Sequence, residues 1–99
     1  MSPQPFAFTL RSSRDVEKAC RWYETERSGL GTEFRDELWR LLELLVDTPE
    51  LGPIVHRDLR RALTRRFPYA VYYRISESTI EVRACLHQRR NPQVGIRRA

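Results

Sequence analysis

Apolar positions in this chain follow two periods, and the switch between them outlines the fold. Phe6, Phe8 and Leu10 alternate with Ala7 and Thr9, the two-residue period of a half-buried strand. Val16, Ala19, Cys20 and Tyr23 then fall at spacings 0, +3, +4 and +7, one face of a helix, with Trp22 beside that stripe. Ser12 or Ser13 is placed to cap this helix, and Asp15 and Glu17 suit the positive end of its dipole. Gly29 and Gly31 mark a tight helix–helix turn. Thr32 is expected to cap a second helix carrying Phe34, Leu38, Leu41, Leu42 and Leu45 inward, stopped by Asp47-Thr48-Pro49.

Beyond a connection with a turn at Gly52-Pro53, the alternating period returns. A second strand is expected from Arg60 or Arg61 to Phe67, with ambiguous parity, since Leu59, Leu63 and Phe67 share a face with Arg61 and Arg65. Pro68 bends the chain. A third strand places Val71, Tyr73 and Ile75 on one face and Ala70, Tyr72 and Arg74 on the other. Ser76-Glu77-Ser78 makes a hairpin turn of open type. A fourth strand, Thr79 to Leu86, is expected to point Ile80, Val82, Ala84 and Leu86 inward, and Glu81, Arg83, Cys85 and His87 outward. The tail after Pro92 is too short and weakly periodic to predict a helix.

The element order is therefore strand, two helices, three strands: an α+β, two-layer arrangement with an antiparallel sheet of about four strands. The two consecutive helices form a hairpin that can cover only one sheet face. Tyr72, Arg74, Arg83, Cys85 and His87 are expected on the face left bare, flanked by Arg61, Arg65 or Arg66, and by Arg89 and Arg90. Ninety-nine residues predict one domain.

Charge adds to this picture. Residues 1–50 hold 7 basic and 10 acidic side chains, whereas residues 51–99 hold 11 basic and 3 acidic, and all 11 are arginine. A net +8 on the strand-rich half exceeds what solvation needs, and it suits either nucleic-acid phosphate or an acidic protein segment. Composition alone does not separate these partners. His87 among arginines could act as general acid or base on a phosphodiester, although a single histidine at a strand end also serves structural roles. Nothing calls for a cofactor. The two cysteines and two histidines lack metal-ligand spacing, and Cys20 and Cys85 fit small buried or half-buried thiols. No run reaches the ~18 apolar residues of a membrane span, and no signal-peptide layout opens the chain, so a cytoplasmic protein is expected.

Several pieces taken together resemble the RelE/ParE superfamily of toxins from bacterial type II toxin–antitoxin pairs. These are W-Y-E at 22–24, G-L-G at 29–31, F-R-D-E-L at 34–38, R-R-A-L-T-R-R-F-P-Y-A-V-Y-Y-R at 60–74 and L-H-Q-R-R-N-P at 86–92. The resemblance implies that the first strand lies beside the last. It also implies a cognate antitoxin, acidic where it grips the toxin. RelE-like members cleave mRNA on the ribosome, often with a tyrosine near the C-terminus; ParE-like members inhibit DNA gyrase. No tyrosine follows Pro92 here, and the W-Y-E, G-L-G and H-x-x-R-x-P pieces favour the ParE-like side. On the alternative nuclease reading, Arg61, Arg65 and Arg90 would hold the scissile phosphate and His87 would move the proton. On the ParE-like reading, Tyr72, Arg74, Arg83, Arg89 and Arg90 would bind antitoxin or target.

Overall fold

A computed structural model describes residues 5–98. Its elements are β1 (Phe6–Phe8), α1 (Leu10–Glu26), α2 (Leu30–Asp47), a 3-10 turn (Pro49–Leu51), β2 (Ile54–His56), β3 (Leu59–Leu63), β4 (Tyr69–Ser76), β5 (Thr79–His87) and α3 (Pro92–Ile96). The fold is α+β, with one sheet in the order β1-β5-β4-β3-β2. The first strand does lie beside the last: β1 runs parallel to β5, and every other pairing is antiparallel. No helix among the described residues is long and apolar enough to cross a membrane.

Both helices begin earlier than their serine and threonine content implies. Thr9, not Ser12 or Ser13, caps α1 by accepting the Ser12 amide at 3.1 Å. Ser12 is fully buried instead, and its hydroxyl donates to the Val82 carbonyl at 2.8 Å, tying α1 to β5. Leu10, which extends the strand-like alternation, is an exposed residue of the first helical turn. The cap of α2 is Gly29, at φ 90°, rather than Thr32. Free amides there are satisfied from α1, since the Glu24 carboxylate accepts Gly29 N at 2.9 Å and Gly31 N at 3.1 Å. Phe34, Leu38, Leu42 and Leu45 are wholly buried against the sheet, as their spacing predicts.

Five strands replace the four expected. The extra one, β2, is three exposed residues within the presumed connection, joined to β3 by a turn with Arg57 at φ 54°. Strand β3 ends at Leu63 rather than Phe67. Glu37 of α2 draws off the next amides, accepting Arg66 N at 2.9 Å and Phe67 N at 3.2 Å, and the Thr64 hydroxyl bonds the Phe67 and Tyr69 carbonyls. At the β4–β5 hairpin both loop residues, Glu77 and Ser78, have positive φ, as in a type I′ turn.

Parity along β5 is the main correction. Tyr73 pairs with Val82 and Tyr72 with Ala84, so Arg83 is an extra residue, a bulge. Before it, Ile80 and Val82 face the helices as expected. After it, the assignment reverses. Cys85 joins the core under α1 and α2, and Ala84 and Leu86 cross to the far face. That face is not bare. Leu59, Ala70, Tyr72, Ala84 and Leu86 form a second apolar cluster, covered by Val94 and Ile96 of α3. Helix α3 is capped by the Asn91 side chain, which accepts Gln93 N at 3.0 Å. Gly95 lies flat on the Tyr72 ring, where any Cβ would overlap it. Five residues give too short a period for α3 to show in the sequence.

Candidate functional site

The predicted site residues fall into three groups. On the far face, Arg61 Nε donates to the Tyr72 hydroxyl at 3.2 Å, its guanidinium 5.8 Å from the ring centroid. Tyr72 is itself only 2 % exposed beneath α3, so the expectation of an open tyrosine there is corrected. Arg74 and Arg83 converge on one carboxylate, Glu81, at 3.5 and 2.5 Å, and Arg74 also lies 4.0 Å from Asp58. Arg83 Nε further donates to the Arg98 carbonyl at 2.8 Å. Much of the positive charge on this face is therefore balanced within the fold.

The second group is dispersed. Arg65 is exposed in the loop between β3 and β4, and Arg66 beside it pairs with Glu33 at 2.7 Å. Arg27 reaches the same Glu33 at 2.9 Å, and the hydrogen bond from Arg66, more than the one from Arg27, holds that carboxyl below its ordinary range. Arg89 is exposed in the turn after β5, where its amide donates to His87 Nδ1 at 3.1 Å.

The third group forms a cleft of about 570 Å³ between α1 and the end of β5. The bulge puts His87 here, on the helix-covered side, at the end of a row of aromatic rings. Phe34 stands 5.0 Å from Tyr69, and Tyr69 stands 5.5 Å from His87, edge to face. Burial pushes the Tyr69 hydroxyl up to about 12, so it stays a hydrogen-bond donor at neutral pH. Burial likewise raises the Cys85 thiol in the cleft floor and leaves it unreactive. Arg90 lines the cleft beside His87, and α1 contributes Lys18 and Trp22, the latter 58 % exposed. One wall is a closed ion pair: Arg98 Nη1 and Nη2 donate to the two oxygens of Asp15 at 2.8 and 3.2 Å. Asp15 also accepts the Cys85 amide at 3.1 Å.

The structure thus brings His87 and Arg90 together, and Arg74 with Arg83. It separates Arg61 from His87, because the Arg61–Tyr72 pair and the Tyr69–His87 pair sit on opposite faces of the sheet. The pattern missed Lys18 and Trp22 as site residues. Their signal was present: Asp15, Lys18 and Trp22 are spaced three and four apart, one stripe along the edge of the buried face of α1. No group of three or more His, Cys, Asp or Glu that could hold a metal occurs among the described residues.

A helical hairpin on one face of a mostly antiparallel sheet, with the first strand returned beside the last, is the architecture of the RelE/ParE superfamily of toxins. The sequence profile described as ParE toxin of type II toxin-antitoxin system, parDE, matches residues 6–92. The chain belongs to this ParE toxin family. Among solved structures it is similar to a chain described as a chromosomal ParDE TA system from P. aeruginosa. That likeness has a TM-score of 0.72 at 14 % identity and covers 83 % of this chain and 92 % of the other, a likeness of fold. No curated protein matches.

Proposed function

We propose that this chain is a toxin that inhibits DNA gyrase or a similar target in the cytoplasm, and that a cognate antitoxin with an acidic segment neutralises it. The observation that carries the reading over RNA cleavage is the separation of Arg61 from His87 by the thickness of the sheet. A nuclease needs its phosphate-holding and proton-moving groups around one reacting atom, within about 3 Å of it. Here Arg61 is bonded to Tyr72 on one face and His87 stacks on Tyr69 on the other. Membership of the ParE toxin family supports an antitoxin partner, as does the TA-system description of the structural relative. The surplus of arginine in the second half suits an acidic one.

Within this reading the site residues divide by availability. Arg89 and Arg90, both exposed, would meet the antitoxin or target directly. Arg74 and Arg83 would act through their shared Glu81, and Tyr72 by holding α3 in place.

Two assays on the purified chain separate the hypotheses. Inhibition of gyrase supercoiling, relieved by the antitoxin encoded beside the toxin gene, is the expected result. Cleavage of mRNA on translating ribosomes that disappears in His87→Ala would overturn it in favour of the nuclease.

A further inference from the structure

The cleft between α1 and β5 carries unused chemistry. Lys18 and Arg90 have no ion-pair partner among the described residues, unlike Arg27, Arg66, Arg74, Arg83 and Arg98. The adjacent carboxylate, Asp15, is already bidentate to Arg98 and offers them nothing. His87 adds a third donor. Its Nδ1 accepts the Arg89 amide, so the neutral ring carries its proton on Nε2. Between these polar groups lie Ala19, Leu86 and the exposed face of Trp22. An indole left in water above an apolar floor is the kind of feature that anchors an interface.

We propose that this cleft is the anchor for the acidic segment of the antitoxin: carboxylates meet Lys18 and Arg90, and an apolar side chain packs on Trp22 between them. The assignment rests on the antitoxin reading above and adds the place and chemistry of its grip. Charge complementarity selects the occupant. A nucleic-acid strand needs a track of cations along successive phosphates. Of the cations that line this cleft, Arg98 is tied to Asp15, which leaves Lys18 and Arg90, too few for such a track. Two free cations and one exposed aromatic ring in a single cleft suit a short peptide with one or two carboxylates beside a large apolar residue.

The test measures Kd of the full-length chain for the antitoxin encoded beside it. Lys18→Glu/Arg90→Glu should weaken binding by about a hundredfold, and Trp22→Ala by about tenfold. Lys18→Arg/Arg90→Lys should stay close to the wild type. Arg11→Glu/Arg40→Glu changes net charge equally on exposed positions outside the cleft and should have a small effect. All these side chains are exposed, and an unchanged circular dichroism melt verifies folding. Equal losses in the two double-Glu variants would overturn the anchor while leaving the antitoxin reading intact. Undiminished antitoxin binding alongside lost binding of a 12-nucleotide single-stranded RNA would reassign the cleft to nucleic acid. A wild-type chain that binds no antitoxin would overturn both readings.

Discussion

Replacing Asp15 with alanine should destabilise the protein more than any other single change to its charged residues. Its carboxylate has two separate duties: the bidentate pair with Arg98 and the hydrogen bond from the Cys85 amide, just beyond the β5 bulge. Removing it leaves a buried N–H without an acceptor, which costs about 1–3 kcal/mol. It also strands the Arg98 guanidinium, only 10 % exposed and already holding one buried nitrogen without an acceptor. Breaking a fully buried pair costs about 3–5 kcal/mol, and the residual exposure here brings that to about 2. Asp15→Ala should therefore lose about 3–4 kcal/mol. Arg98→Ala, which leaves the Asp15–Cys85 bond in place, should lose about 1–2 kcal/mol. The double variant should fall short of the sum by about 1–2 kcal/mol. Urea denaturation followed by far-ultraviolet circular dichroism resolves these values. With a slope of about 1.5 kcal/mol per M, Asp15→Ala should shift the midpoint down by about 2 M. A shift under about 0.5 M, or strict additivity in the cycle, would refute the idea that this pair clasps the C-terminal segment onto α1.

The Tyr73 hydroxyl donates to the Pro49 carbonyl at 2.7 Å and accepts the buried Gly52 amide at 3.0 Å, so Tyr73→Phe should cost about 2 kcal/mol. Faster hydrogen exchange at Gly52 should accompany that loss, and unchanged exchange would show the bond to be dispensable. Stability should also decline in alkali. Tyr69 ionises near 10 when unfolded but only at about 12 in the fold, chiefly because of burial. Between those values the unfolded chain has given up a proton that the folded chain retains, so stability falls as pH rises through that window. Denaturation midpoints at pH 8, 10 and 11 should show a shallower decline in Tyr69→Phe; the same slope in both proteins would assign the effect to other groups.

Much of the architecture was legible because its elements are long enough to repeat a period. Phe34, Leu38, Leu42 and Leu45 announce α2 over three turns, and Val71 with Tyr73 fixes the orientation of β4. What escaped was short or non-local. Strand β2 and helix α3 have three and five residues, fewer than two repeats of their periods. The start of α2 depends on Glu24, which acts from another helix, and the end of β3 depends on Glu37, which does the same. The candidate site suffered most. Alternation extrapolated through Arg83 put Cys85 and His87 on the wrong face, and the unforeseen α3 left Tyr72 apparently open. Basic residues counted as one patch proved to be divided between two faces and several internal pairs.

The bulge at Arg83 also changes what kind of mutation can rewire this protein. Substituting Arg83 alters a side chain but leaves the Tyr73–Val82 and Tyr72–Ala84 pairs on either side of it, so His87 keeps its place beside Tyr69. Deleting Arg83 itself would restore plain alternation and leave residues 84–87 on the faces they now occupy, because Val82 would still pair with Tyr73 and Ala84 with Tyr72. The faces would exchange only if β5 straightened at constant length: with Arg83 drawn into the ladder, Leu86 would be driven under the helices and His87 would emerge among Arg61, Arg74 and Tyr72. The position of the histidine is thus recorded in the irregularity of β5 and not in its own chemistry. Within such a scaffold, a bulge gained or lost at constant length is enough to exchange one functional surface for another.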